Sequence, residues 1–444
     1  MRSEVIGNTD KVAGFLEEQN EFVSVYASGP SWLQKVRNSG KEYFSNLGIP
    51  EIKHEEWKYF HISKVLREQY SLSKNTSNSS IHDISKYLIS GNDVIKIVCI
   101  NGKYSLELSD NLNINGSEIA AGTLHDKSTD LSEIIFSNKA KSTDHFLSLN
   151  TSFINEITSI NIFKGIKIDK PIHIIHLIGS SDNETMVFPR TIISAGEGSE
   201  VEVIESYHST NGSTHSFCAA VTEVVEDKNA KVTVTKYQDM NEDAILITNT
   251  YFSLQRDSKS DIHTYTINGG MVRNNLAISL NGENCHAELH GVYLPNGSQV
   301  VDNHTLVDHV SPNCYSNELY KGVMGDKSEA IFNGKVFVHR DAQKTNAYQS
   351  NNNILLTDDA TINTKPQLEI YADDVKCSHG ATTGQLDEDA LFYLRARGIG
   401  EKEARALLVV AFAGEVLELL ENETLKNNIS DIINDRLSNM SQSI

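Results

Sequence analysis

Between Val94 and Val375 the chain is written in short apolar runs that alternate with polar positions: VIKIVCI, EVEVIESY, KVTVTKY, SDIHTYTI and CHAELHGVYL among them. Alternation of period two, rich in Val, Ile, Thr and Tyr, predicts β-strands with one buried face. Turn-forming pairs punctuate the runs, including Asn101-Gly102, Gly269-Gly270, Asn281-Gly282, Asn296-Gly297 and Asn333-Gly334. Helical periodicity is nearly absent over roughly 280 residues, far more than the ~100 of one sandwich. No signature recurs every ~40 residues, which counts against a propeller. The pattern therefore predicts an irregular β-helix.

The two ends have a different period. At the N-terminus Asp10 can cap a helix that puts Val12, Phe15 and Leu16 on one face. Ser31 can cap a second helix through Trp32, Val36 and Tyr43-Phe44, stopping near Gly48 and Pro50. The polar run SLSKNTSNSS from Ser71 reads as a linker. At the C-terminus Asp387 can cap DEDALFYLRAR, which Gly398 closes; helices over Glu401–Leu420 and Thr424–Leu437 follow. The expected division is a helical region over 1–85, a β-core over 90–380 and a helical domain over 385–444. Leu407, Leu408, Ala411 and Leu417 give the second C-terminal helix a broad apolar face that must dock on the β-core or on another protein.

Composition narrows the function classes. The 444 residues carry 39 basic and 59 acidic side chains, a net charge of −20. This argues against a nucleic-acid or anionic-membrane surface. No apolar leader follows Met1, and the longest apolar run, Ala406–Ala413, is far shorter than the ~20 residues that cross a bilayer. Five scattered cysteines without a CxxC pair fit a reducing cytoplasm better than a disulfide framework or a closed zinc or ferredoxin-type site.

The densest set of metal-capable side chains is Asp373, Asp374, Cys377 and His379, where the last strand-like run gives way to the C-terminal helices. Strand neighbours two apart share a face, so Cys377 and His379 should point the same way. A thiolate and an imidazole on one face could ligate a metal or help build an iron–sulfur cluster. On spacing alone, a half-buried cysteine beside a surface histidine is the commoner outcome. His304 and His309 are separated by an odd number of positions, as are His173 and His176, so an extended chain puts each pair on opposite faces. Only a bend at Ser311-Pro312 or a bulge would bring His309 and Cys314 together. The acid pairs Asp358-Asp359 and Asp373-Asp374 would suit a carbohydrate-active β-helix, but they equally suit turns. There is no GxxxxGK[ST], so no nucleotide site is expected in this chain. Gly196-Glu197-Gly198 lacks the third glycine of a dinucleotide motif and reads as a hairpin turn.

Longer stretches carry a resemblance. TKPQLEI, KCSHGAT and LDEDALFYLRARGI in the final third, FPRTIISAGEGSEVEVIESY from Phe188, Glu56-Trp57-Lys58-Tyr59 and Asn101-Gly102-Lys103-Tyr104 together resemble the SufB/SufD family of SUF iron–sulfur cluster assembly proteins. The text around Cys377 is similar to the D-type rather than the B-type. The resemblance implies a mainly β fold, with a right-handed parallel β-helix core flanked by N-terminal and C-terminal α-helical regions. It implies a non-catalytic scaffold that pairs through its β-helix with a SufB-type paralogue. Its C-terminal helices would hold a SufC-type ABC ATPase, here through Leu391, Phe392, Leu394, Leu407 and Leu408. His379 would sit at the paired interface and contribute to a transient Fe–S cluster shared with the SufB-type partner, with Cys377 as the neighbouring thiol. Sulfur and iron would reach the complex by way of that partner. Flavin binding and a homodimer of the isolated chain stay open. A purely structural subunit and a carbohydrate-active enzyme using the acid pairs are the competing readings.

Overall fold

From Arg190 onward, strands consecutive in the chain do not pair with each other. Each pairs in parallel with the strand two further on, so the chain winds alternately through two sheets. The result is a parallel β-solenoid of about seven turns, with helices at both ends. The computed structural model describes residues 12–18, 31–66, 70–72, 83–89, 91, 93–123, 134–135, 143–179, 184–210 and 215–442. Asp10 and most of the polar run after Ser71 lie outside them.

Winding decides what the turn residues do. Gly196-Glu197-Gly198 is a corner between Arg190–Ala195 and Glu200–Ser209, strands of different sheets, and not a hairpin. Asn333-Gly334 is no turn at all. It lies inside strand Glu329–Val338, where a Cβ on Gly334 would meet the Gln349 side chain. A side-chain-free position inside a strand marks close approach, here by a side chain reaching across the lumen from the opposite strand of the same coil.

Alternate positions of every coil point into the lumen. Val201, Val203, Val232, Val234, Ile262, Ala287 and Leu289 build one continuous core, each large aliphatic contributing about 1.5–3 kcal/mol by its burial. Glycine and tyrosine interlock across one rung. Gly291 pairs with Tyr320, Tyr293 pairs with Gly322, and each ring occupies the space its partner leaves free. The lumen also holds charge. Glu205 accepts hydrogen bonds from Lys236 Nζ at 2.6 Å, Thr191 Oγ1 at 2.6 Å and Thr222 Oγ1 at 2.7 Å.

The first coil is closed by a mixed layer. Ser117–Thr123 pairs antiparallel with Glu156–Ile162, and Ile95–Ile100 joins the second sheet. Helix His145–Ser152 sits in the stretch whose pattern predicted strands alone. It is buried on all sides and so shows no amphipathic period; Asp144 caps it by accepting from the Phe146 and Leu147 amides. Helix Ser31–Leu47 packs on it, ending at Gly48 (φ 67°), as the sequence predicts. Trp57 of the Glu56–Tyr59 stretch is buried, and the Arg273 guanidinium stacks on its ring at 3.8 Å. That stack ties the N-terminal segment to the outside of the first sheet.

Candidate functional site

The last coil consists of Thr361–Ile370 in the first sheet and Val375–Gly384 in the second. Both strands end their sheets, so each keeps one edge without a partner among the described residues. Earlier strands bury every second residue. None of these twenty positions is fully buried. Ile370, Tyr371 and Tyr348 add apolar surface nearby. Free strand edges of this kind are templates for pairing with another chain.

Val375–Gly384 lies parallel to Thr345–Leu355, with Cys377 beside Ala347 and His379 beside Gln349. Ala347 and Gln349 are buried lumen-side positions, so Cys377 and His379 share the inward side of a coil that no described residue covers. Cys377 packs partly on the core, and this burial pushes its thiol up, a backbone hydrogen bond with Ala347 opposing in part. His379 is exposed. Asp373 and Asp374 sit in the exposed bend before the strand, where the Asp374 amide donates to Gln343 Oε1 at 2.9 Å. Asp358 and Asp359 occupy another exposed corner. Both acid pairs sit in turns.

The other candidate histidines separate as their spacing requires. His304 is on the outside, with Nδ1 3.2 Å from Glu56 and Nε2 2.9 Å from Asp302. His309 is inside, its Nε2 2.9 Å from Ser316 Oγ; burial pulls its imidazole down to about 4. His176 stacks on Tyr207 within the lumen. His173 meets Ser206 at 2.9 Å on the opposite side of the strand. Sequence reasoning did not single out His263, His286, Glu288 and His290, which line a cavity of about 510 Å³ under the Leu419–Asn422 loop. Their strand positions alternate regularly, but pairing across coils, which brings His263 beside His290, is invisible without the register. Among the described residues, no group of three or more His, Cys, Asp or Glu is arranged to hold a metal ion. No helix among them is long and apolar enough to cross a membrane.

Beyond the last strand come helices Glu388–Ala396, Glu401–Leu417 and Glu423–Gln442, the first capped by Asp387 through the Asp389 and Ala390 amides. The second and third pack on the outside of the second sheet. Val409, Ala413, Val416, Leu420, Leu425, Ile429 and Ile433 cover Ile204, Tyr237, Tyr265, Val292 and Val323. The buried stripe of the second helix thus runs through Ala404, Val409, Ala413, Val416 and Leu417; of the expected face Leu417 is buried and Leu408 half-buried, while Leu407 and Ala411 point outward. Of the five residues expected to meet an ATPase, Leu391 is buried, Leu394 and Leu408 are half-buried, and Phe392 and Leu407 are 75% and 46% exposed. Tyr393 and Leu419 join the exposed pair.

Comparison with known proteins adds the family. The SufBD core domain of the SUF system for FeS cluster assembly matches residues 176–412, and the SufBD N-terminal region matches 12–174. The chain belongs to the SufBD family. It is 32% identical to the iron–sulfur cluster assembly protein SufD of Escherichia coli K12 over 88% of this chain and 90% of that one. A SufBD family protein of Synechocystis is 30% identical over 96% of the chain and 95% of its own length. SufD of Bacillus subtilis is 26% identical over 91% and 94%. SufBD membership gives the chain a scaffold-type role in iron–sulfur cluster assembly and associates it with the SUF system. It also displaces the carbohydrate-active reading of the acid pairs.

Within a SufBD chain the thiols are unequal. Cys99, Cys218, Cys285 and Cys314 are buried, and Cys377 alone among the five is partly exposed. A native-state titration with a thiol reagent is expected to show one reactive group per chain. Cys377→Ser removes it, whereas full unfolding releases all the others.

Proposed function

We propose that this chain is the D-type subunit of a SUF cluster-assembly complex and that its last coil is half of an assembly site. The observation that carries the reading is the uncovered coil itself, with free strand edges on both sheets and Cys377 and His379 side by side on its inward side. Two donors are too few for a stable cluster. A SufB-type paralogue pairing along the free edges would close the coil and add its own thiolate opposite His379. Ligands divided between two chains make a labile cluster, which suits a scaffold that passes its cargo on. The cluster is cargo shared with that partner, and sulfur and iron enter by way of it.

The exposed Phe392, Tyr393, Leu407 and Leu419 are the surface on which a SufC-type ABC ATPase would dock. Helices Glu401–Leu417 and Glu423–Gln442 lie directly on the second sheet, so a movement imposed on them would be transmitted to the coils beneath. The division into 1–85, 90–380 and 385–444 belongs to the same proposal, with the last segment as the ATPase handle.

Capture experiments test it. The tagged chain, co-expressed with a SufB-type paralogue and a SufC-type ATPase, is expected to retain both through gel filtration. Phe392→Asp with Leu407→Asp is expected to release the ATPase and keep the paralogue. If the wild-type chain retains neither partner, the proposal fails.

A further inference from the structure

Cys285 and Cys314 stand on adjacent rungs of the solenoid. Each immediately precedes the first residue of a strand, His286 and Tyr315, which are partners in register, and the Tyr315 amide donates to the Cys285 carbonyl at 2.9 Å. Both cysteines are almost fully buried, at 1% and 0% exposure, yet they lie directly beneath the corner formed by the exposed Asn281, Glu283, Asn284 and Asn313. The Gly282 carbonyl oxygen of that corner is 3.1 Å from Cys285 Sγ and 3.3 Å from Cys314 Sγ. Gln255 and Pro312 supply further carbonyls, at 3.1 Å from Cys285 Sγ and 3.5 Å from Cys314 Sγ, and Ser258 Oγ lies 3.8 Å from Cys285 Sγ.

Neighbouring rungs are about 4.8 Å apart with side chains side by side, which lies within the roughly 4.4–6.8 Å between Cα atoms joined by a disulfide. Two thiols placed this way can be joined by an S–S bond or by a bridging ion, and the choice rests on the surrounding chemistry. Two metal–sulfur bonds of about 2.3 Å each span the rung without moving it. Paired thiolates with no imidazole or carboxylate among the contacts above favour a soft, low-coordinate ion over Mg²⁺, Mn²⁺ or Fe²⁺.

We propose that Cys285 and Cys314 form a two-thiolate site for a soft monovalent cation of the Cu(I) type. Binding replaces both S–H bonds with S–Cu bonds. The copper stays Cu(I), two protons leave to solvent, and the bridged unit carries one negative charge that the Ser258 hydroxyl can meet. The site is independent of the last coil, and its test does not depend on any partner.

The test is an anaerobic competition titration of the reduced full-length chain with Cu(I) held by a chromophoric chelator. The expected result is one tightly held equivalent per chain, with two sulfur neighbours by X-ray absorption. Cys285→Ser and Cys314→Ser are each expected to weaken capture at least tenfold, while Cys377→Ser leaves it unchanged. Thermal melts of the apo-proteins check that the serine variants are folded, and Cys314→Ala provides a second route if serine disturbs the corner. No capture by the wild type, or capture that survives loss of either thiol in a folded variant, overturns the proposal. So does ready conversion of the pair to a disulfide by a mild thiol oxidant, seen as a loss of two hydrogens in the intact mass.

Discussion

Replacing His379 with alanine is expected to slow cluster formation at least tenfold while leaving the protein folded. The side chain is exposed, on a coil that no described residue covers. Surface substitutions of this kind change stability by about 0.5 kcal/mol or less. The loss should appear instead in the reconstituted complex, as the rate at which the cluster chromophore develops when iron and sulfide are supplied. Removing one of few ligands should lower that rate at least tenfold, since even a group that merely orients a ligand is worth about 10–100-fold in metal affinity. Cys377→Ser should do less, because that thiol is half-turned into the core and burial holds it protonated. Retention of the partners by the His379→Ala variant separates a lost ligand from a lost interface. If the double variant lacking both side chains forms clusters at the wild-type rate, the chain's part in assembly is structural alone.

How much of this was legible beforehand depends on whether a feature is local. Period-two alternation and helix caps are local, so the β-core, the three C-terminal helices and the opposite placement of His304 and His309 follow from the residues. Cys377 and His379 share a side because they are two apart on one strand. Features created by winding could not be read in the same way. Gly196–Gly198 looks like a hairpin because a corner between two sheets uses the same residues as a turn within one. Asn333-Gly334 looks like a turn because nothing local says that Gln349 passes over it. The 145–152 helix has no amphipathic signature because burial on every side erases it. Apolarity in the second C-terminal helix continues around its circumference, so sequence alone could not say which stripe the sheet would take and which would stay outside. The pairing of Cys285 with Cys314, 29 positions apart, is likewise a product of coil length.

The largest loss of stability is expected inside the lumen, from Lys236→Met. Glu205 is 1% exposed and Lys236 3%. Burial alone would push the Glu205 carboxyl up; the Lys236 ammonium at 2.6 Å and His176 outweigh it and hold the group well below the usual carboxylate range. Methionine keeps the volume of the lysine stem but withdraws its charge. The carboxylate then keeps only His176, whose Nε2 is 3.9 Å away, or takes up a proton, and breaking a buried pair in this way costs about 3–5 kcal/mol. The Thr191 and Thr222 hydroxyls still donate to it, as hydrogen bonds that cannot replace a charge. The second variant Glu205→Gln with Lys236→Met should recover most of the loss, because two neutral side chains in that volume leave no uncompensated ion. A denaturant double-mutant cycle reads the coupling directly. The pH dependence has a definite sign. In the wild type the depressed carboxyl pKa adds stability that is present above the unfolded value of about 4.3 and is lost as pH falls through the folded value. In Lys236→Met burial is expected to lift the carboxyl above its unfolded value, so the variant should lose stability as pH rises through it. The gap between the two proteins should therefore be widest near neutral pH and narrow toward pH 4–5; a gap independent of pH would mean that Lys236 contributes by packing its stem and not by its charge.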